Sequence, residues 1–293
     1  MDIKSVEQAV AKIQSALFRN SNSISVGMFR SHFRGSGLQF KEHQIYYHGD
    51  DVRFMDWKLM AKTNKPYIKT FEEERNVEIV ILIDCSLSMF LGYEDVTKIR
   101  MAIELSCLIY LLSRQTGDKV HTILVTDKII NFPPLSGPAG IALLISKLQE
   151  IGILLSNGSV NREYRPAFNI SHDKRYAQIL RHIVSKKEVV IFSDFINFLD
   201  SKHLKSLKSR RNIHCFKLQS PIDSGNNASL KKNYSIWGLN SSHEQQSEIM
   251  LMQTKNPKNA KTDEDEVEKI MGGKLKKINC QDRYLEKFIR EMV

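Results

Sequence analysis

Two short apolar runs that each end in an aspartate constrain this chain more than any other feature. Residues 76–84 read NVEIVILID and residues 188–194 read EVVIFSD, so Asp84 and Asp194 each close a stretch rich in β-branched and aromatic residues. Both runs are too short for a buried helix and too uniformly apolar for a strand with one wet face. Strands of this kind are buried on both sides, as in a parallel sheet covered by helices. The chain around them alternates accordingly. Helical spacing covers residues 96–114, 138–150, 172–186, 201–209, 263–271 and 283–292, and strand patterns cover 119–126, 129–132, 213–218, 234–238 and 275–278. This predicts an α/β fold with a doubly wound, mostly parallel sheet, in which residues 129–132 return as a hairpin partner of 119–126 across Asp127 and Lys128.

The first quarter of the chain differs. Ile3, Val6, Val10, Ile13 and Leu17 fall at helical spacing and predict an amphipathic helix over residues 3–18. Residues 27–69 mix glycine, aromatic and charged residues without a sustained period, which predicts a small irregular N-terminal subdomain of short strands. A short helix is expected over 52–62, capped by Asp50 or Asp51. The expected organisation is therefore an N-terminal helix and irregular subdomain over 1–75, then an α/β domain over 76–293 with a polar excursion at 221–261.

Composition excludes some classes. No stretch reaches the roughly 18 to 20 apolar residues that a membrane helix needs. The amphipathic, acid-bearing start does not resemble a signal peptide, so a cytoplasmic protein is expected. The four cysteines, Cys85, Cys107, Cys215 and Cys280, form no CxxC pair, and three sit in apolar runs, which predicts buried free thiols. A formal charge of +10 raises the alternative of a nucleic-acid-binding protein. The basic residues are scattered, however, and the densest runs, 202–211 and 274–277, lack the interleaved aromatics that stack on bases.

The chemistry concentrates in DCSLSM, residues 84–89. A strand ending in Asp84, followed by Ser86 and Ser88 at alternate loop positions, directs one carboxylate and two hydroxyls above the sheet. The alternative is that the serines only satisfy turn backbone. Asp194, at the end of a second buried strand, favours a cation, because a buried carboxylate needs one or a set of donors. An all-oxygen set suits magnesium, or manganese, better than zinc or copper. In open sheets ligands bind beyond the carboxyl ends of the strands, where the winding reverses.

DCSLSM resembles the Asp-x-Ser-x-Ser loop of the metal-ion-dependent adhesion site of von Willebrand factor A domains. RGSG at 34–37, YYHGDDVRFMDWK at 46–58, YIK at 67–69 and FEEER at 71–75 resemble the bacterial family called domain of unknown function 58 (DUF58), and the resemblance runs from about residue 27 to about residue 195. It implies a von Willebrand factor A, Rossmann-like domain in which Asp84 and Asp194 hold a metal through water while Ser86 and Ser88 ligate it directly. The family's second loop supplies a threonine, and none occurs here between Thr126 and Thr254. Ser171 is the first candidate substitute and Ser159 the second. The resemblance further implies a non-enzymatic adaptor or co-chaperone that grips a partner through the ion. The implied partners are a MoxR-type AAA+ ATPase and other von Willebrand factor A proteins, in the assembly or maturation of other proteins.

Two further readings concern the remaining motifs. The GDD-R-x-x-DW block at 49–57 is either a docking surface or a structural clasp in which Arg53 pairs with an aspartate and Trp57 packs on the sheet; the clasp is the expectation. A phosphatase-like enzyme is the other alternative, but the haloacid dehalogenase type needs an aspartate where Ser86 stands. No GxSxG, HExxH or GxxxxGK[ST] motif is present, and His121 is expected to be packed rather than catalytic.

Overall fold

A computed structural model describes residues 38–73, 78–93, 96–126, 128–165, 171–183, 187–196, 198–220, 236–240, 248–252, 264–280 and 283–292. The helix expected over 3–18, the RGSG segment and most of the polar excursion lie outside the described residues. Elements run in the order β1 (Leu38–Ile45), α1 (Trp57–Thr63), β2 (Tyr67–Glu73), β3 (Glu78–Asp84), β4 (Gly92–Tyr93), β5 (Val96–Thr97), α2 (Lys98–Thr116), β6 (Lys119–Val125) and β7 (Ile129–Asn131). There follow α3 (Gly137–Ile151), α4 (His172–His182), β8 (Glu188–Ser193), α5 (Ser201–Ser209), β9 (Ile213–Gln219), β10 (Ile236–Asn240), β11 (Glu248–Met252), α6 (Glu264–Met271), β12 (Leu275–Asn279) and α7 (Tyr284–Met292).

Six strands form the central sheet in the order β12-β9-β8-β3-β6-β7. All neighbours are parallel except β7, which returns antiparallel beside β6 as the hairpin pattern predicted. The middle strands are apolar because helices cover both faces: Ile79, Ile81 and Ile83 enter one core cluster, Val80 and Leu82 the other. The first core is sealed by α2, α3 and α7. Among its contacts Gly140 of α3 lies directly against the ring of Tyr110 in α2. The four cysteines are buried thiols outside any disulfide, as expected.

Several boundaries depart from the sequence pattern. Val96 and Thr97 form β5 against Gly92 and Tyr93 instead of beginning the helix, and Thr97 caps α2 by accepting the Arg100 N–H at 3.2 Å. The helix expected over 52–62 splits into a 3-10 turn at Val52–Phe54, capped by Asp51, and α1, capped by Asp56 through the Leu59 N–H. Met55 closes the first turn through its N–H to the Val52 carbonyl, and Asp56, with the non-helical backbone of a cap residue, starts the second. β10 overlaps the strand expected over 234–238, whereas β11, its antiparallel partner, was not foreseen. Among the described residues no helix is long and apolar enough to cross a membrane.

β1 and β2 form a separate two-stranded ladder with a register shift between Phe40 and Glu42. Arg53 pairs with Asp51 at 2.6 Å, as the clasp reading holds. Trp57 does not pack on the sheet: it is the first residue of α1 and is 65% exposed. Asp56 carries the clasp instead, accepting from His43 at 2.9 Å and facing Lys69 at 3.3 Å.

Candidate functional site

The chain winds from β3 outward to β6 and β7, then crosses back to β8 on the other side of β3. The reversal between β3 and β8 opens the crevice in which open α/β sheets bind ligands. Asp84 ends β3 and Asp194 directly follows β8, so the register of Ile83 beside Phe192 brings the two acids to the same edge.

Both carboxylates are engaged. Asp84 Oδ1 accepts the Ser86 backbone N–H at 2.9 Å, and Oδ2 accepts the Ser193 hydroxyl at 2.6 Å. Asp194 Oδ1 accepts the Ile196 N–H at 3.0 Å, and its Oδ2 lies 2.8 Å from the Lys98 ammonium. The Ser86 and Ser88 hydroxyls lie 3.1 Å apart and share a hydrogen bond. Burial, and after it the Asp194 charge, push the Asp84 carboxyl up to about 7, against the pull of the Ser193 and Ser86 hydrogen bonds.

Lys98 and Asp194 are 0% and 3% exposed, so their ion pair is sealed inside the protein. The Lys98 N–H donates to the Leu91 carbonyl at 3.0 Å, which fixes the start of α2 under the DCSLSM loop. A second cation belongs to this neighbourhood. Arg175 of α4 is 3% exposed, donates to the Phe198 carbonyl at 2.8 Å and feels the Asp84 charge. Its own pKa is lowered chiefly by burial, which the Asp84 charge opposes.

The two candidate substitutes for the missing threonine differ in their settings. Ser171 is exposed at the N-terminus of α4 and makes no capping bond with its side chain. Ser159 is committed to its own turn, its N–H and hydroxyl both donating to Asn157 Oδ1. Lys98, Arg175 and Ser193 were missed by motif reading, although two of them left a trace. Lys98, Met101, Ala102 and Leu105 fall on one buried stripe of α2, and Arg175, Ile179 and Ile183 on one stripe at α4. A basic residue in register with an apolar stripe is a buried cation seeking an acid.

These placements bear on the magnesium or manganese expected from the loop. The donors are all oxygens, as such an ion requires. As placed, however, the residues do not fit a divalent ion, because the Asp194 charge is already met by the Lys98 ammonium at 2.8 Å. The four carboxylate oxygens accept from Ser86, Ser193, Ile196 and Lys98, so an ion would share them with donors already in place, the Lys98 ammonium above all. Among the described residues no group of three or more His, Cys, Asp and Glu side chains gathers as a metal centre.

Comparison with known proteins places the chain. The "Uncharacterized protein Rv1480" of Mycobacterium tuberculosis (strain ATCC 25618 / H37Rv) is 29% identical over 100 residues, 34% of this chain and 32% of that protein. "Uncharacterized protein Mb1516" of Mycobacterium bovis matches to the same extent, so the similarity spans about a third of the length of these relatives. Among solved structures, the conserved hypothetical protein BatB from Bacteroides thetaiotaomicron aligns with 74% of this chain and 97% of its own at a TM-score of 0.43 and 10% identity. An aerotolerance-related membrane protein from Bacteroides fragilis NCTC 9343 aligns with 74% of this chain and 98% of its own, at a TM-score of 0.42 and 15% identity. The family described as "Protein of unknown function DUF58" matches residues 42–225, well over half of the chain, and the protein belongs to that family.

Proposed function

We propose that the protein is a non-enzymatic protein-binding module of the von Willebrand factor A type, with its docking face at the loops that follow β3 and β8. The carrying observation is the loop at Asp194. Its carboxylate turns inward to Lys98 while holding the Ile196 N–H, and Ile196 itself stands 41% exposed at the lip. An apolar side chain held outward beside this polar cluster offers a contact to another protein surface. The Ser86 and Ser88 hydroxyls bond each other and Asp84 is the acid beside Ser86, so in this reading the two hydroxyls hold the loop instead of attacking a substrate.

The family resemblance names the partner to test, a MoxR-type AAA+ ATPase, with other von Willebrand factor A proteins behind it. An adaptor role in the assembly or maturation of client proteins follows from the same resemblance, and the cytoplasm is the expected compartment. The test is a titration of the purified ATPase into wild-type protein and Ile196→Asp, followed by calorimetry. Wild type is expected to bind, and the substitution to weaken binding at least about tenfold, since a charge buried at an interface core is poorly tolerated. Equal binding by the two proteins, or none by wild type, rejects this docking face.

A further inference from the structure

The cation at this site is part of the chain. We infer that the Lys98 ammonium occupies the ion position of the adhesion loop, so that a divalent metal binds only where that ammonium has been displaced. This deepens the docking reading, and it rests on that reading for the site's biological use but not for its chemistry.

Three observations support it. The Lys98 nitrogen lies 2.8 Å from Asp194 Oδ2, with both side chains sealed from water and 96 residues apart in the chain. This is no chance surface pair: the lysine stem passes through the apolar interior, and its backbone is held by the Leu91 carbonyl. The Asp194 charge is also met without a metal by Lys98, and a second buried cation, Arg175, already stands in the field of Asp84. A dication added to that set would stand near two like charges. Finally, of the two serines that could stand for the missing threonine, Ser171 is exposed at the start of α4 and Ser159 is tied to Asn157.

An ammonium differs from magnesium in what it offers a partner. It is a point charge with three N–H donors, all directed within the protein here, and it has no open coordination position for an incoming carboxylate. Docking at this edge is therefore independent of divalent ions. The oxygens themselves remain suited to a metal: the Ser86 and Ser88 hydroxyls, 3.1 Å apart, lie close enough to cap one ion once the lysine is gone.

The test is direct manganese binding, read by electron paramagnetic resonance, on wild type and Lys98→Ala. The variant is expected to bind at least about tenfold more tightly, because the ion-accepting state of wild type is only a small fraction of the population. Equal affinities, or no saturable binding by either protein, overturn the inference. Should Lys98→Ala fail to fold, acylation of lysines in the wild-type protein gives a second reading. Lys98 is expected to react far more slowly than the exposed Lys128, and equal rates reject its burial against Asp194. If the variant gains manganese binding while no ATPase docks, the internal cation stands and the docking reading falls.

Discussion

The Ser193 hydroxyl bridges the ends of two adjacent parallel strands, donating to Asp84 Oδ2 at 2.6 Å and accepting the Phe195 N–H at 2.8 Å. Phe195 sits at a φ of 61°, a left-handed conformation that a bulky side chain rarely adopts. The bridge thus holds both a buried carboxylate and the strained residue behind Asp194. Ser193→Ala removes the donor and the acceptor together and leaves buried groups without partners. The expected cost is about 1–3 kcal/mol, measured as a lower midpoint in urea unfolding with the slope unchanged. An unchanged midpoint would mean that water reaches Asp84.

Asp84 gives the protein a pH dependence of defined sign. Burial and the Asp194 charge raise its folded-state pKa to about 7, above the ordinary unfolded carboxylate value near 3.9. Between those values the folded state holds a proton that the unfolded state has lost, so this residue's contribution to stability is greatest below about pH 4 and declines as pH rises towards 7. Asp84→Asn, which keeps an oxygen acceptor and cannot ionise, abolishes the decline. The difference in stability between variant and wild type is expected to shift in favour of the variant from pH 4.5 to pH 7.5 in denaturant titrations. A constant difference contradicts the raised pKa.

The frame of this site was legible because strands buried on both faces leave long apolar runs, and an acid ending each run is conspicuous. Asp84 and Asp194 were placed from that pattern alone. Lys98 escaped because a lysine beginning a helix normally lies in water, and only its register with Met101, Ala102 and Leu105 marks it as buried. Ser193 escaped because its role depends on the neighbouring strand, which sequence order does not reveal. The misplaced helix starts share one cause. Thr97 and Asp56 accept N–H bonds as caps, so each helix begins just after the capping side chain and not where the apolar spacing first becomes helical. Trp57 was expected on the sheet as part of the clasp, but as the first residue of a short helix it stands 65% exposed.

Packing between α2 and α3 makes a prediction in which two effects oppose each other. Replacing a helical glycine by alanine ordinarily stabilises by about 1 kcal/mol through backbone entropy. At Gly140 a Cβ would lie 2.2 Å from two carbons of the Tyr110 ring. That ring cannot swing away freely, because it is 1% exposed and its hydroxyl bonds Thr122 Oγ1 at 2.8 Å. The clash therefore wins, and Gly140→Ala is expected to destabilise by about 1–3 kcal/mol, as overpacked cores do. In a Tyr110→Leu background the same substitution should cost less, because the ring it strikes is gone. Thermal unfolding of the four proteins measures the coupling, and additive effects would disprove the contact.

The Lys98 to Asp194 pair is best weighed by removing it in two ways. Lys98→Met keeps the length and apolar character of the stem but strands the Asp194 carboxylate in the interior, and breaking a buried pair from one side costs about 3–5 kcal/mol. Asp194→Asn alone leaves an unpaired ammonium and should cost a comparable amount, although the side-chain oxygen can still accept the Ile196 N–H seen at 3.0 Å. Combined, the two substitutions leave no net charge, and a buried pair replaced as a whole is often close to neutral. The double variant is therefore expected to be more stable than either single one, with a coupling energy of about 2 kcal/mol or more. Because the pair is shielded from solvent, the coupling should be nearly the same at low and high salt, unlike that of a surface pair such as Arg53 with Asp51. A coupling near zero, or one that vanishes in high salt, would show that the ammonium spends its time in water and that the acids at this edge are held by something else.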